Sequence, residues 1–328
     1  MAGFIKDDLI PHDNYGDWCV PPEDPKLIHS QDPARKTHPT VLGTTYYYHC
    51  LTLMSRYARM LGKADDAAQF TALAARMKTA FNRQFLKPDA GQYDNGSQTS
   101  CVLPLALDLV PVDRRAAVFD HLVDKITRET RNHVGTGLIG GQYLMRTLSD
   151  GGRPDLAYTL ATQRTYPSWG YMIDQGATTI WELWNGDTAD PAMNSGNHVM
   201  LVGDLIIWMH EYLAGIQADP DQPGFKHIRM KPHPVGDLQF VRASHRSPHG
   251  LIRSEWRRDP KSFQWQITVP VNTTATVYMP ADDATRITIN GQALRKARDR
   301  AAFLRMEGDY ALLAVGSGTY TIVSREVR

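Results

Sequence analysis

The sequence is short of cysteine, of long apolar runs and of any excess of one charge. Cys19, Cys50 and Cys101 are its three cysteines, scattered through 328 residues. Their spacing fits neither a disulfide framework nor a zinc-ligand pattern, so they read as reduced structural thiols, and no metal or cofactor is expected. No run of about 18 apolar residues occurs, so no membrane-spanning helix is expected. The 36 basic and 35 acidic residues nearly cancel. With no basic block, nucleic acid is not an expected partner. The opening Met1-Ala-Gly-Phe-Ile-Lys-Asp-Asp lacks the basic segment and apolar core of a secretory signal. A cytoplasmic location is then the default, and a periplasmic or secreted one would follow if the true start lay upstream.

What is present is a chain long enough for two domains. Its first two thirds read as helices. Thr44 to Leu61 carries Tyr47, Leu51, Met54, Tyr57 and Met60 at helical spacing. Gly62-Lys63 ends that segment, and Asp65 or Asp66 is placed to cap the next. Residues 67–85 repeat the pattern with Phe70, Leu73, Met77 and Phe81. Further helices are expected over about 98–109, 113–126, 140–148, 154–163 and 197–213. Paired helices with short loops indicate a helical array or toroid.

The period then changes. Residues 217–224, Gln-Ala-Asp-Pro-Asp-Gln-Pro-Gly, read as a linker. Beyond them apolar residues alternate: Phe263, Trp265, Ile267 and Val269; Ala275, Val277 and Met279; Ile287 and Ile289; Tyr320 and Ile322. Alternation with frequent turns predicts an antiparallel β-sandwich. The expected domains are 1–216, helical, and 217–328, the sandwich.

The chemistry concentrates in Gly176-Ala-Thr-Thr-Ile-Trp181-Glu182-Leu-Trp184. A carboxylate between two tryptophans suits a sugar: indole faces pack on C–H surfaces, and the carboxylate serves water or hydroxyls. Three more clusters of aromatic and polar residues fall in expected loops: Tyr15-Gly-Asp17-Trp18, Tyr166-Pro-Ser-Trp169-Gly-Tyr171 and Asn194-Ser-Gly-Asn197-His198. Loops at one end of a helical toroid are where a pocket would form. The candidate sugar-contacting residues are Asp17, Trp18, Trp169, Trp181, Trp184 and His198, with Glu182 as the catalytic candidate. Plainer roles stay open: Asp17 as a cap, Trp169 as packing, His198 as a helix-start residue, and Glu182 as a surface group.

These stretches resemble a known family. Tyr15-Gly-Asp-Trp18, Thr136-Gly-Leu-Ile-Gly140, Thr165-Tyr-Pro-Ser-Trp-Gly-Tyr171, Gly176-Ala-Thr-Thr-Ile-Trp-Glu182 and Asn197-His198 are similar to the inverting α-L-rhamnosidases of the (α/α)6-barrel type. Ile267-Thr-Val-Pro-Val-Asn-Thr-Thr-Ala275 resembles their closing sandwich. The resemblance implies a partial (α/α)6 toroid followed by the antiparallel β-sandwich. It implies Glu182 as general base, and Trp18 and His198 against a terminal α-L-rhamnose, so that the partner is a rhamnose-containing glycoside.

One part of the family pattern is absent. The general acid of the family lies in a segment like Asp-x-Pro-x-Arg-x-Glu-Arg-x-Gly-x-x-Gly-Asp ahead of the Gly-Asp-Trp stretch, and no such segment occurs here. Inversion needs both a protonated acid and an ionised base, about 6.5–9.5 Å apart. By elimination Asp17 and Asp187 are the remaining acid candidates, although a cap or turn suits each better. The chain is therefore expected to be the C-terminal part of a longer enzyme or a truncated product. Alone it would be weakly active or inactive, with apolar surface open to self-association. Two other readings compete: a non-catalytic sugar-binding or scaffold remnant, and a different helical-toroid enzyme acting on carbohydrate. Fold alone would not separate them.

Overall fold

The computed structural model describes residues 4–297 and 301–325. Residues 1–3 of the opening stretch read above, and residues 298–300 and 326–328, lie outside the described residues. The chain divides into two compact units, Met1–Asp204 and Leu205–Arg328.

The first unit is built from helices. α1 (Pro39–Met60) starts on a proline in its first turn, with His38 Nδ1 accepting from Thr40 N at 3.1 Å. Proline suits that place because its missing N–H would have no helical partner. Gly62 follows with φ +70°, and α2 (Ala64–Phe85) returns alongside. Asp65 and Asp66 lie in the first turn of α2 rather than capping it; Lys63 holds the cap position. There their charge favours the helix start through the dipole.

Of the large apolar stripe predicted for α1, Leu51 alone is buried. Met54, Tyr57 and Met60 are exposed, and Tyr47 is half-buried. The buried face is Val41, Thr44, Thr45, Tyr48, Leu51, Ser55 and Ala58. These are mostly small residues, and Ser55 shares a hydrogen bond of 2.7 Å with Thr71 of α2. On α2, Met77 and Phe81 are fully buried.

A short hairpin, β1 (Leu86–Lys87) and β2 (Gln92–Tyr93), leads to α3 (Gln98–Ala106). Ser97 caps α3 by accepting from Ser100 N, and residues 98–105 are all buried. A helix buried all round is an inner helix. α4 (Arg115–Asp124) widens into a π turn at Lys125–Glu129. α5 (Leu138–Gly141), α6 (Leu144–Asp150), α7 (Pro154–Ala161) and α8 (Trp169–Asp174) follow. The single helix expected over 197–213 is broken. Val199–Val202 is a 3-10 turn, and Gly203 at φ +58° interrupts it. A Cβ at Gly203 would lie 2.3 Å from the Gly141 carbonyl oxygen.

The second unit opens with α9 (Leu205–Trp208) and a π turn, Met209–Leu213. Among the described residues eleven strands follow: β3 (Ile216–Ala218), β4 (His227–Met230), β5 (Phe240–Ser247), β6 (Gly250–Asp259), β7 (Ser262–Val269), β8 (Thr274–Pro280), β9 (Ile287–Ile289), β10 (Gln292–Ala293), β11 (Ala301–Glu307), β12 (Tyr310–Val315) and β13 (Gly318–Arg325). One sheet runs β10-β9-β13-β7-β6-β5 and the other β11-β12-β8-β4-β3. Pairing is antiparallel except between β4 and β8. The alternating residues read from the sequence form one core: Phe263, Trp265, Ile267 and Val269 of β7 lie with Ala275, Val277 and Met279 of β8, and with Ile287, Ile289, Tyr320 and Ile322.

Residues 213 and 214 are tied into this sandwich. The Trp256 indole donates to the Leu213 carbonyl at 2.7 Å, and Ser254 donates to that of Ala214 at 2.6 Å while accepting from Trp265. The contact division after Asp204 thus falls ahead of the linker expected at 217. Among the described residues no helix is long and apolar enough to cross a membrane.

Candidate active site

Two loops of the first unit are joined by backbone hydrogen bonds. Glu182 N donates to Ser195 O at 2.9 Å, and His198 N donates to Ile180 O at 2.6 Å. This places the Glu182 side chain among donors. Ser195 N–H reaches its Oε2 at 3.0 Å, the Trp18 indole N–H reaches its Oε1 at 3.4 Å, and His198 Nδ1 lies 3.8 Å from Oε2. The Glu182 side chain keeps 18% of its exposure and His198 23%, so both remain open to a ligand. His198 Nε2 is buried and has no hydrogen-bond partner among the described residues. Such an atom normally has a partner.

Trp18 owes its position to Asp17. The Asp17 carboxylate is buried and accepts four hydrogen bonds: from Thr99 Oγ1, from Gly137 N at 2.8 Å, from Ile139 N at 2.8 Å and from Gly140 N at 3.2 Å. The last three are the unpaired donors at the start of α5, a place that favours a carboxylate. Burial pushes the carboxyl pKa up, and these bonds pull it down in part. The Trp18 carbonyl in turn accepts from Leu138 N at 2.7 Å. The glycines of Thr136-Gly-Leu-Ile-Gly140 are explained by this packing. A Cβ on Gly137 would sit 2.2 Å from the Trp18 carbonyl oxygen, and one on Gly140 would sit 2.2 Å from Thr99 Oγ1.

The Trp18 ring is packed edge-on by His29 at 4.5 Å and by Tyr15 at 6.4 Å. Beside it lies a hollow of about 350 Å³, lined by Tyr15, Trp18, His29, Lys36 and Thr37 among others. His29 and Lys36 were not singled out in the sequence. They sit in a loop rich in proline and aspartate, with no periodicity or motif to mark them.

The helical region, residues 5–213, matches the bacterial alpha-L-rhamnosidase 6 hairpin glycosidase domain. The chain belongs to the bacterial alpha-L-rhamnosidase family. Residues 215–293 match the C-terminal domain of the same enzymes. An alpha-L-rhamnosidase of Streptomyces avermitilis is 36% identical over 318 residues, covering 95% of this chain and 28% of the relative. One from Formosa agariphila is 32% identical over 320 residues, covering 95% and 33%. The crystal structure of the Streptomyces avermitilis alpha-L-rhamnosidase complexed with L-rhamnose superposes with a TM-score of 0.86 at 34% identity, over 98% of this chain and 29% of that one. The Dictyoglumus thermophilum alpha-L-rhamnosidase also gives 0.86, at 32% identity, over 99% and 35%. The chain thus spans about a third of the length of the rhamnosidases it matches.

Within this rhamnosidase fold the sequence candidates separate into two groups. Glu182, Trp18 and His198 meet. Asp17 was expected against the sugar and instead anchors the Trp18 loop; its oxygens face donors, which leaves none for a ligand. Trp169 was expected there too, but is buried, donates to Leu201 O at 3.1 Å and packs edge-on against Trp184 at 5.5 Å. Trp184, a third such candidate, is 2% exposed and belongs to the same interior pair. A large aromatic ring contributes most by burial, and both loops are fixed by that burial. Trp181 is half-buried, its ring lying over Gly186, where a Cβ would come within 2.7 Å. Asp187, an acid candidate by elimination, is exposed and accepts from the Tyr171 hydroxyl at 2.8 Å. Asn185 was missed: its amide donates to Pro25 O and Leu27 O and holds the loop that carries His29.

Proposed function

We propose that this chain supplies the general base and part of the rhamnose-binding wall of an inverting α-L-rhamnosidase. The observation that carries this reading is the Glu182 carboxylate, oriented by the Ser195 N–H and the Trp18 indole beside the unpartnered Nε2 of His198. L-rhamnose is the sugar in the Streptomyces avermitilis relative's crystal structure. In the proposed reaction Glu182 takes a proton from a water that attacks the anomeric carbon, while a second carboxyl group protonates the departing oxygen on the opposite face. Trp18 gives one face of the sugar a flat apolar surface, and His198 meets a hydroxyl.

The proton donor belongs to neither acid candidate in this account. Asp17 has its oxygens turned to backbone N–H groups, which only donate, and Asp187 is exposed beside Tyr171. The chain by itself is then a slow catalyst of natural rhamnosides. It is least handicapped on activated aryl rhamnosides, whose leaving groups need little protonation. Met54, Tyr57, Met60 and Leu61 make an exposed apolar face at the end of α1, which supports self-association; light scattering over a concentration series tests it.

The binding half is tested by titrating the chain with L-rhamnose and following tryptophan fluorescence. The wild-type chain and Glu182→Gln should bind with similar affinity, and His198→Ala should bind more weakly by about tenfold, the worth of one good hydrogen bond. Equal affinity in His198→Ala would remove that residue from the site.

A further inference from the structure

The outward face of the six-stranded sheet is a second feature that the rhamnosidase site does not use. We propose that the surface formed by β5, β6, β7 and β13 binds a polysaccharide carrying uronate carboxylates, independently of the hydrolytic site.

The alternation that buries Trp256, Trp265 and Ile267 turns a different set outward. Arg242 and Arg246 of β5, and Arg253 and Arg257 of β6, are exposed, as are Gln264 and Gln266 of β7 and Thr321 of β13. The register makes them neighbours. Phe240 pairs with Arg257, Arg242 with Glu255, and Ser244 with Arg253; Arg257 then pairs with Gln264, and Gln266 with Thr321. Cross-strand partners lie about 5 Å apart, and residues two apart along a strand about 6.6–7 Å apart. Four arginines therefore stand on one face as two diagonal pairs, Arg242 with Arg257 and Arg246 with Arg253.

None of the four has an ion-pair partner among the described residues. Glu255 is the carboxylate in their midst. Asp259, at the end of β6, is already held in its turn by Lys261 N and the Ser262 hydroxyl. The face is also concave: an open hollow of about 630 Å³ is lined by Phe240, Arg242, Glu255, Arg257, Gln264 and Gln266, among others.

The composition selects the ligand. Arginine forks match carboxylates in pairs of hydrogen bonds. Glutamine and threonine suit the hydroxyls between those charges. Phe240 is 61% exposed, with the Arg242 guanidinium 5.7 Å from its ring centre. It offers a sugar ring an apolar platform next to a cation. A nucleic acid would use the same charges, but a single aromatic side chain is a poor stacking track for successive bases. Membership of a glycosidase family places glycans within the protein's reach.

The test is affinity electrophoresis of the whole chain in native gels containing polygalacturonate, neutral dextran or dextran sulfate, with the dissociation constant read from the retardation. Polygalacturonate should retard the wild-type chain and dextran should not. Arg242→Gln with Arg257→Gln should weaken that binding by about tenfold or more, as expected for two charge-assisted contacts, without a change in melting temperature. Glu255→Gln should strengthen it, a direction no folding defect produces. Unchanged retardation in the double variant, weaker binding in Glu255→Gln, or tighter binding of dextran sulfate than of polygalacturonate would each overturn the assignment. The readout involves no hydrolysis, so its failure leaves the Glu182 reading untouched.

Discussion

The indole N–H of Trp18 points at Oε1 of Glu182 across 3.4 Å, although 164 positions separate the two residues. Each is held by bonds to distant parts of the chain. Trp18 is carried by Asp17, which is clamped to the start of α5. Glu182 is carried by the backbone bonds that join residues 180–182 to 195–198. The general base proposed above would have to be held in hydrogen-bonding reach of one water, and two separately anchored loops would give that precision.

The anchor should be measurable in stability and binding together. Asp17→Ala leaves the N–H groups of Gly137, Ile139 and Gly140 without their acceptor. The expected cost is on the order of 3 kcal/mol, read by urea unfolding, since each orphaned buried donor carries a penalty. Gly137→Ala should also weaken rhamnose binding, because its Cβ would have to displace the Trp18 carbonyl from 2.2 Å. Native stability and unaltered binding in Gly137→Ala would refute the anchoring role.

Thiol reactivity offers a second check. Cys50 is exposed, whereas Cys19 and Cys101 are buried. Burial, then the charges of Glu182 and Asp17, push the Cys19 thiol up to about 12. Burial pushes Cys101 up to about 11. The thiolate is the reactive form, so a disulfide reagent at neutral pH should titrate one thiol rapidly in the native chain and all three in denaturant. Rapid modification of Cys19 in the native chain would contradict the packing around Trp18.

His233 makes the sandwich unit sensitive to acid. Burial, and then Lys231, lower its pKa from 6.5 to about 4. The unfolded chain therefore binds the proton first. The contribution is fully present above pH 6.5 and is lost as pH falls towards 4, up to about 3 kcal/mol for a shift of that size. Unfolding of the wild-type chain and of His233→Gln at pH 7.5 and 4.5 measures it. The variant should lose less stability between the two values, and an equal loss would refute the assignment.

The sandwich core was legible because period-2 alternation is local. Phe263, Trp265 and Ile267 declare their face without knowledge of the partner strand. Glu182 between Trp181 and Trp184 stood out in the sequence, but its contact with Trp18 could be expected only from the resemblance, because the two lie in separate stretches of the chain. The roles of Asp17, Trp169 and Trp184 were not legible. An anchoring carboxylate and a ligand-binding one look alike until the donors at the start of α5 arrive from more than a hundred residues away. The outward stripe of α1 misleads for a related reason. Its small Ser, Thr and Ala residues form the packed face, and periodicity counts only the large apolar ones. The break at Gly203 follows from its close approach to Gly141, which no local pattern records.

The proposed role of Glu182 as base can be measured by itself. The direct measurement is turnover of 2,4-dinitrophenyl α-L-rhamnoside by this chain and by Glu182→Gln and Glu182→Ala, with the first-formed anomer followed by proton NMR. The leaving group needs little protonation, so the assay isolates the base. The expected result is slow turnover to the inverted β-anomer, a loss of about 10²–10⁴-fold in Glu182→Gln, and recovery of Glu182→Ala by azide, which attacks without giving up a proton. Equal turnover by the wild-type chain and Glu182→Gln, or an α-anomer as the first product, would contradict it.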